Sequence, residues 1–335
     1  MRAFLSITGA TSVILEIQTR LELFPPIRTK VLTFGFLYLA FAIGAGLLIH
    51  AVFRRWYGSS GRPIVFGAVI LIIAVGLALR IGAGIEGNRI RPDNPSHLSG
   101  DEPGYDHMAR EFLDGYGFPW PGRVPLYPLW LAGVYRLSGG SIHAVPYYQS
   151  LLGVATIVLT YLLGKSMFDF RIGLLSAFWV SVSYPLVRQP VHLLSEVLYT
   201  PVLLLLAILL FKAFCEPTGN RCIAAGALTG IANLIRPSLL FFPLFLAVPI
   251  LITKGKKRIV ICWIAYFVAS SLVVCPWVLH NYFRHRAIIP LQTSGSGRRY
   301  CTGPVGRKTI QRAYRGTGIG RGELSNRSWQ SPWCI

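Results

Sequence analysis

Charge is scarce in this sequence, and acid is scarcest. Only 14% of its 335 residues are charged, where soluble domains carry about 25%. Acidic residues number 13 against 33 basic ones. This shortage excludes an ordinary soluble domain. In its place the chain is 53% hydrophobic, with a mean hydropathy of +0.52. Several apolar runs reach the roughly 20 residues that a helix needs to cross a bilayer. The runs are continuous, and a membrane β-barrel would alternate apolar and polar residues. The expected fold is therefore all-α, a polytopic transmembrane helical bundle. Cysteines are few and scattered: Cys215, Cys222, Cys262, Cys275, Cys301 and Cys334. Without metal-ligand spacing they give no disulfide framework or zinc site. They read as buried small hydrophobes and incidental thiols. The net charge of +20 comes with no zinc finger or basic zipper, so no nucleic-acid partner is expected. Basic residues collect instead in loops at the cytoplasmic face.

Apolar spans are expected at 31–53, 64–85, 145–167, 172–187, 197–214, 222–235, 239–252 and 259–279, about eight in all. A shorter apolar piece, 126–137, reads as an interfacial or re-entrant helix. The basic turns at 54–62, 165–171, 212–221 and 254–258 all fall on one side. That side is cytoplasmic, which puts the loops around 101 and 188–196 on the outer face. Residues 1–30 are ambiguous. Their apolar part is short and lacks a signal-peptide cleavage site, and Pro25-Pro26 breaks any helix there. The segment 31–297 reads as the membrane domain. The tail 298–335 is basic and glycine-rich, with Glu323 its sole acid, and is expected to be disordered.

Against this background one run stands out: Asp101-Glu102-Pro103-Gly104-Tyr105-Asp106. Four acids fall between Asp101 and Glu111. Two carboxylates in a partly shielded loop suit a general base for an acceptor hydroxyl or amine, or a divalent-cation site. Asp101 also suits the N-cap of a helix over 105–113, though the surrounding pattern favours function. If the segment continues as a helix, Tyr105 lies one turn from Asp101, and Asp106 one turn from Glu102. Arg123, followed by Pro125-Leu126-Tyr127-Pro128, can grip a phosphate bidentately or reach the lipid headgroups. His192 and Ser195-Glu196 lie on the second outer loop. There Glu196 serves either as a second acid facing Asp101 or as a solvated cap. Arg236 interrupts an apolar stretch, which marks a functional site or a headgroup contact. Pro276-Trp277 and His280-Asn281-Tyr282 read as interfacial anchors.

The order of these motifs carries a resemblance. Asp101-Glu102-Pro103-Gly104-Tyr105 precedes Arg123-Val124-Pro125-Leu126-Tyr127-Pro128. Then come Tyr184-Pro185, Ser195-Glu196, Leu234-Ile235-Arg236-Pro237 and Pro276-Trp277 through Tyr282. Over roughly residues 63–297 the chain resembles the GT-C membrane glycosyltransferases. The likeness is to the bacterial branch related to protein O-mannosyltransferases and aminoarabinose transferases. The resemblance implies an inverting transferase of the cell membrane. It would take a sugar from a polyprenyl-phosphate donor to a lipid, glycan or protein acceptor at the outer face. It implies Asp101 as base, with Glu102 beside it. Tyr105, Arg123, Tyr127, His192, Glu196 and Arg236 would be substrate-binding residues, with Arg123 at the donor phosphate. Some relatives use a divalent cation and others do not, so the metal stays open.

The chain departs from the family in three places. His280 stands where an arginine is usual, the span 31–53 is extra, and the basic tail replaces the usual continuation. The tail suggests truncation or a shifted reading frame. The rival readings are a transporter or flippase, with the outer acids and Arg236 lining a path, and an inactive truncated remnant.

Overall fold

The computed structural model describes residues 61–119, 121–246, 257–286 and 289–292. The expected span at 31–53 and the tail 298–335 lie outside the described residues. The chain divides into two compact units, Met1–Phe66 and Gly67–Ile335, and the second carries the helical bundle.

Every described element is helical. Helix α1 is Gly61–Ile90. Helix α2, Glu102–Leu113, carries Pro103 in its first turn, where its missing N–H costs nothing. Helix α3, Leu126–Ser138, ends on Gly139 at φ +70°, a left-handed stop that glycine adopts without strain. Helix α4 is Val145–Met167. Helix α5, Phe170–Val182, is capped by the Asp169 carboxylate, which accepts from the N–H groups of Arg171 and Ile172. Then come α6, Tyr184–Arg188, α7, Glu196–Cys215, α8, Gly219–Ile235, and α9, Lys257–His285.

Four helical stretches are long and apolar enough to cross a membrane: Val65–Ile90, Ile142–Met167, Glu196–Cys215 and Lys257–His285. A fifth is a bent pair, Phe170–Val182 with Tyr184–Val191, turned by 56°. The described residues thus support four or five spans and do not confirm about eight. The difference has physical sources. The expected crossing at 172–187 is broken, α8 has 17 residues against the roughly 20 a bilayer needs, and part of 239–252 lies outside the described residues. The interfacial piece expected at 126–137 is present as α3.

Helix α4 packs on α5 and α7, α7 on α8, and α8 on α9, while α2 lies on α3. Lipid removes most of the hydrophobic drive between helices, so close backbone approach matters more. At Gly226 a methyl group would overlap the Tyr266 carbonyl across the α8–α9 seam. Nearby, Thr229 and Tyr266 share a hydrogen bond of 2.7 Å.

The break after α5 has an electrostatic partner. Pro185 has no N–H to give to the Ser181 carbonyl four residues earlier, and unpaired carbonyls are costly in a membrane interior. Arg80 of α1, itself buried, fills the gap. Its Nη1 donates to Ser181 O at 3.0 Å and Gly76 O at 2.9 Å, and its Nη2 to Val180 O at 3.1 Å. Gly153 of α4 leaves room for the guanidinium, since a Cβ there would sit 2.5 Å from Nε.

Candidate functional site

The loop end of the bundle holds a polar layer built from segments far apart in sequence. Its foundation is a set of side-chain latches, some buried and some at the surface. Asp106 on α2 accepts from Arg110 Nε at 3.0 and 3.1 Å and from the Tyr135 hydroxyl at 2.6 Å. The Arg110 guanidinium lies 4.7 Å over the Tyr135 ring. Gln149, the one fully buried amide of α4, donates to Pro190 O at 2.9 Å and His192 O at 2.8 Å. Its carbonyl accepts from the Tyr127 hydroxyl at 3.1 Å. Asp93 accepts from the N–H groups of Ile142 and His143 and from the Ser141 hydroxyl, at 2.8 to 3.0 Å. Burial works to raise the Asp93 pKa, but these donors prevail and hold it below its ordinary value.

The two adjacent acids of the Asp-Glu pair do different things. Glu102 is 2% exposed. Its Oε1 accepts from Leu193 N at 3.1 Å, with His192 Nδ1 at 3.1 Å and Arg91 Nη1 at 3.5 Å. Its Oε2 accepts from Ser99 N at 3.0 Å. Burial alone would push its pKa up, yet the donors pull it down to about 2. Glu102 is thus a permanently ionised pin between the first and second loops. Asp101 is 57% exposed and forms an ion pair with Arg123 Nη2. It stands at the N-cap position of α2, but its side chain caps nothing and its backbone is helical, φ −85° and ψ −17°. The carboxylate therefore faces Arg123 rather than the helix end.

From Arg123 a chain of contacts crosses the site. The guanidinium lies 4.9 Å over the Tyr105 ring. The Tyr105 hydroxyl donates to Ser195 Oγ at 3.0 Å, and Ser195 Oγ lies 3.4 Å from Glu196 Oε2. Glu196 Oε1 is in turn ion-paired to Arg236 Nη1. Burial raises the Tyr105 pKa, with the Ser195 contact and Arg123 opposing it, so the phenol stays a neutral donor. The hydrogen bond that Arg236 donates to Glu196 raises the Arg236 pKa above its ordinary value.

The structure thus gathers Asp101, Tyr105, Arg123, Glu196 and Arg236 into one connected group. Glu102 and His192 adjoin it, bonded to each other. Tyr127 is fully buried, packed edge-on to Tyr105 at 4.8 Å between ring centres. It offers no surface to a substrate and supports the Tyr105 ring instead. Asp101 and Glu102 do not converge on a common point, because Glu102 is committed to its own donors. Among the described residues no group of three or more His, Cys, Asp or Glu side chains is placed to hold a metal ion. A shallow cleft of about 530 Å³ beside Asn88, Ser138 and Tyr147 lies apart and includes none of these residues.

Sequence reasoning missed Arg91, Asp93, Gln149 and Tyr135 as members of the layer. Gln149 had a usable signal, a lone amide in an otherwise apolar span. Arg91 and Asp93 sit in a polar connector without pattern.

A helical membrane protein with acids and arginines gathered at one end of its bundle is the class that emerges. Residues 121–280 match the model of the dolichyl-phosphate-mannose-protein mannosyltransferase family, which is of the GT-C type. The resemblance read from the motifs and this match agree on a membrane glycosyltransferase that draws on a lipid-linked sugar donor. The matched residues include Arg123, Tyr127, His192, Glu196 and Arg236 and begin after Asp101, Glu102 and Tyr105. No curated protein and no solved structure matches the chain significantly.

Proposed function

We propose that this protein transfers a sugar, with inversion, from a polyprenyl-phosphate donor to an acceptor at the extracytoplasmic face of the cell membrane, with Asp101 as base. The observation that carries this reading is the pairing of an exposed carboxylate, Asp101, with a guanidinium, Arg123, at the end of a membrane bundle. An acceptor hydroxyl gives its proton to Asp101 as its oxygen bonds to the anomeric carbon. The bond from that carbon to the phosphate oxygen breaks, and the phosphate leaves with the electron pair. Arg123 and Arg236 supply the positive charge that stabilises the leaving phosphate. Every step uses the protein's own residues.

The test is sugar transfer in membranes from a set of polyprenyl-phosphate sugars, comparing the native protein with Asp101→Asn at equal expression. Loss of a general base typically costs about 10²–10⁴ in rate. Because Asp101 is largely exposed and caps nothing, the variant should keep its fold and lose transfer. Equal transfer by both would remove Asp101 as base.

A further inference from the structure

Two kinds of ion pair share the loop end. In those of Glu102 and Asp106 the carboxylate is buried, 2% and 6% exposed, and they hold the fold. Asp101–Arg123 and Glu196–Arg236 are open, and both members of the second pair are more than a third exposed, Arg236 at 43% and Glu196 at 38%. An exposed pair is a weak bond, worth at most about a fivefold shift in an equilibrium. A guanidinium offers five donors in a fork that matches phosphate better than a single carboxylate oxygen does. The carboxylate nevertheless has a high effective concentration, since Glu196 is held beside Arg236 by the first turn of α7 and by its contact with Ser195 Oγ.

We propose that Glu196 is an internal competitor for Arg236, a tethered anion that occupies the guanidinium between turnovers, yields it to the donor's phosphate, and reclaims it to expel the polyprenyl-phosphate product. This rests on the glycosyl-transfer reading above. The charge argument favours competition at the product stage. The donor is a phosphodiester with one negative charge. The product is a monoester, which carries about −1.5 to −2 at neutral pH. Without a competing anion the arginines would hold product more tightly than substrate. Glu196 is thus a positioning residue that acts through Arg236. The Tyr105–Ser195 contact joins it to the Asp101 half of the site.

The experiment uses the full chain in nanodiscs of phosphatidylcholine doped with a polyprenyl monophosphate of defined length. Binding and product inhibition are measured for the native protein, Glu196→Gln, Arg236→Gln and the double variant. Glu196→Gln should bind the monophosphate about fivefold more tightly. It should also lower KM for donor and lower kcat, because release slows. Arg236→Gln should weaken binding, and in that background Glu196→Gln should add nothing. Glu196→Asp, whose shorter arm retracts from Arg236, should move binding in the same direction by less, and serves if the Gln variant does not fold.

Unchanged or weaker monophosphate binding in Glu196→Gln overturns the proposal, as does a gain that persists without Arg236. Replacing the polyprenyl lipid with phosphatidic acid, or adding inorganic phosphate, should reproduce little of the gain. An equal gain with either would assign Arg236 to a general headgroup or phosphate contact and overturn the role of Glu196 in expelling the product. Absence of transfer by the native protein sinks the glycosyl-transfer reading itself, a result distinct from all of these.

Discussion

Helix α2 carries two buried glutamates at its two ends, and they are opposites. Glu102 is 2% exposed and Glu111 is 6% exposed. Glu102 has donors on both oxygens and a pKa held at about 2. Glu111 has His107 Nε2 at 3.4 Å from Oε1, while its Oε2 is buried without a hydrogen-bond partner among the described residues. Burial drives its pKa up to about 7, with the Asp114 charge adding and Arg284 opposing. Similar burial goes with opposite pKa shifts because the partners, not the depth, decide which way each group moves. The Glu102 end joins two loops beside the site. The Glu111 end stores a cost.

The contrast can be broken most sharply at Glu102. Glu102→Gln removes a charge that Arg91, His192 and two N–H groups all address. Breaking a buried pair costs about 3 kcal/mol or more. We expect a large fall in thermal stability in detergent, with transfer lost because the 188–196 loop is unpinned. A variant as stable as the native protein would dissolve the contrast. A pH series sharpens it without mutation. Glu102 titrates at about 2 when folded and near 4.5 when unfolded, so its contribution is complete above about pH 4.5 and fades as pH falls toward 2.

At Glu111 the sign reverses. Its folded pKa of about 7 exceeds the unfolded value of 4.5, so the folded state holds a proton that the unfolded state releases between those two values. Stability from this group falls across that window and is flat above it. Glu111→Gln should therefore stabilise the protein at about pH 8, by about 2 kcal/mol, and change little at about pH 4. Destabilisation at the higher pH would show that Glu111 is satisfied after all. The smallest expected effect is Tyr135→Phe. It removes the 2.6 Å bond to Asp106 but leaves Arg110, for a loss of about 1 kcal/mol by thermal unfolding.

Much of the scaffold was legible because bilayer spans are written as long apolar runs. The span expected at 145–167 is helix Val145–Met167, and the short helix at 126–137 is Leu126–Ser138. The one-turn spacing of Asp101 and Tyr105 also holds, since α2 starts at Glu102. Two things were not legible. The residues left both base and cap open for Asp101, and no sequence pattern shows that its side chain caps nothing and pairs with Arg123. The partners of Glu102, His192 and Leu193, lie 90 and 91 residues away, and no local pattern predicts such a bond. The bend after α5 was missed for a related reason. Tyr184-Pro185 is visible in sequence, but whether a proline ends a span depends on a neighbour that takes its carbonyls.

That neighbour is Arg80, and the pairing has a consequence for how the protein can change over generations. Losing Arg80 while Pro185 remains leaves the buried Ser181 carbonyl without either donor. Losing Pro185 while Arg80 remains sets a new N–H against Arg80 for the Ser181 carbonyl. Either single step is a descent, and the two together need not be. In a library of random variants selected for folded protein, positions 80 and 185 should drift as a couple. Hydrophobic replacements at 80 should be found chiefly where 185 has regained an N–H.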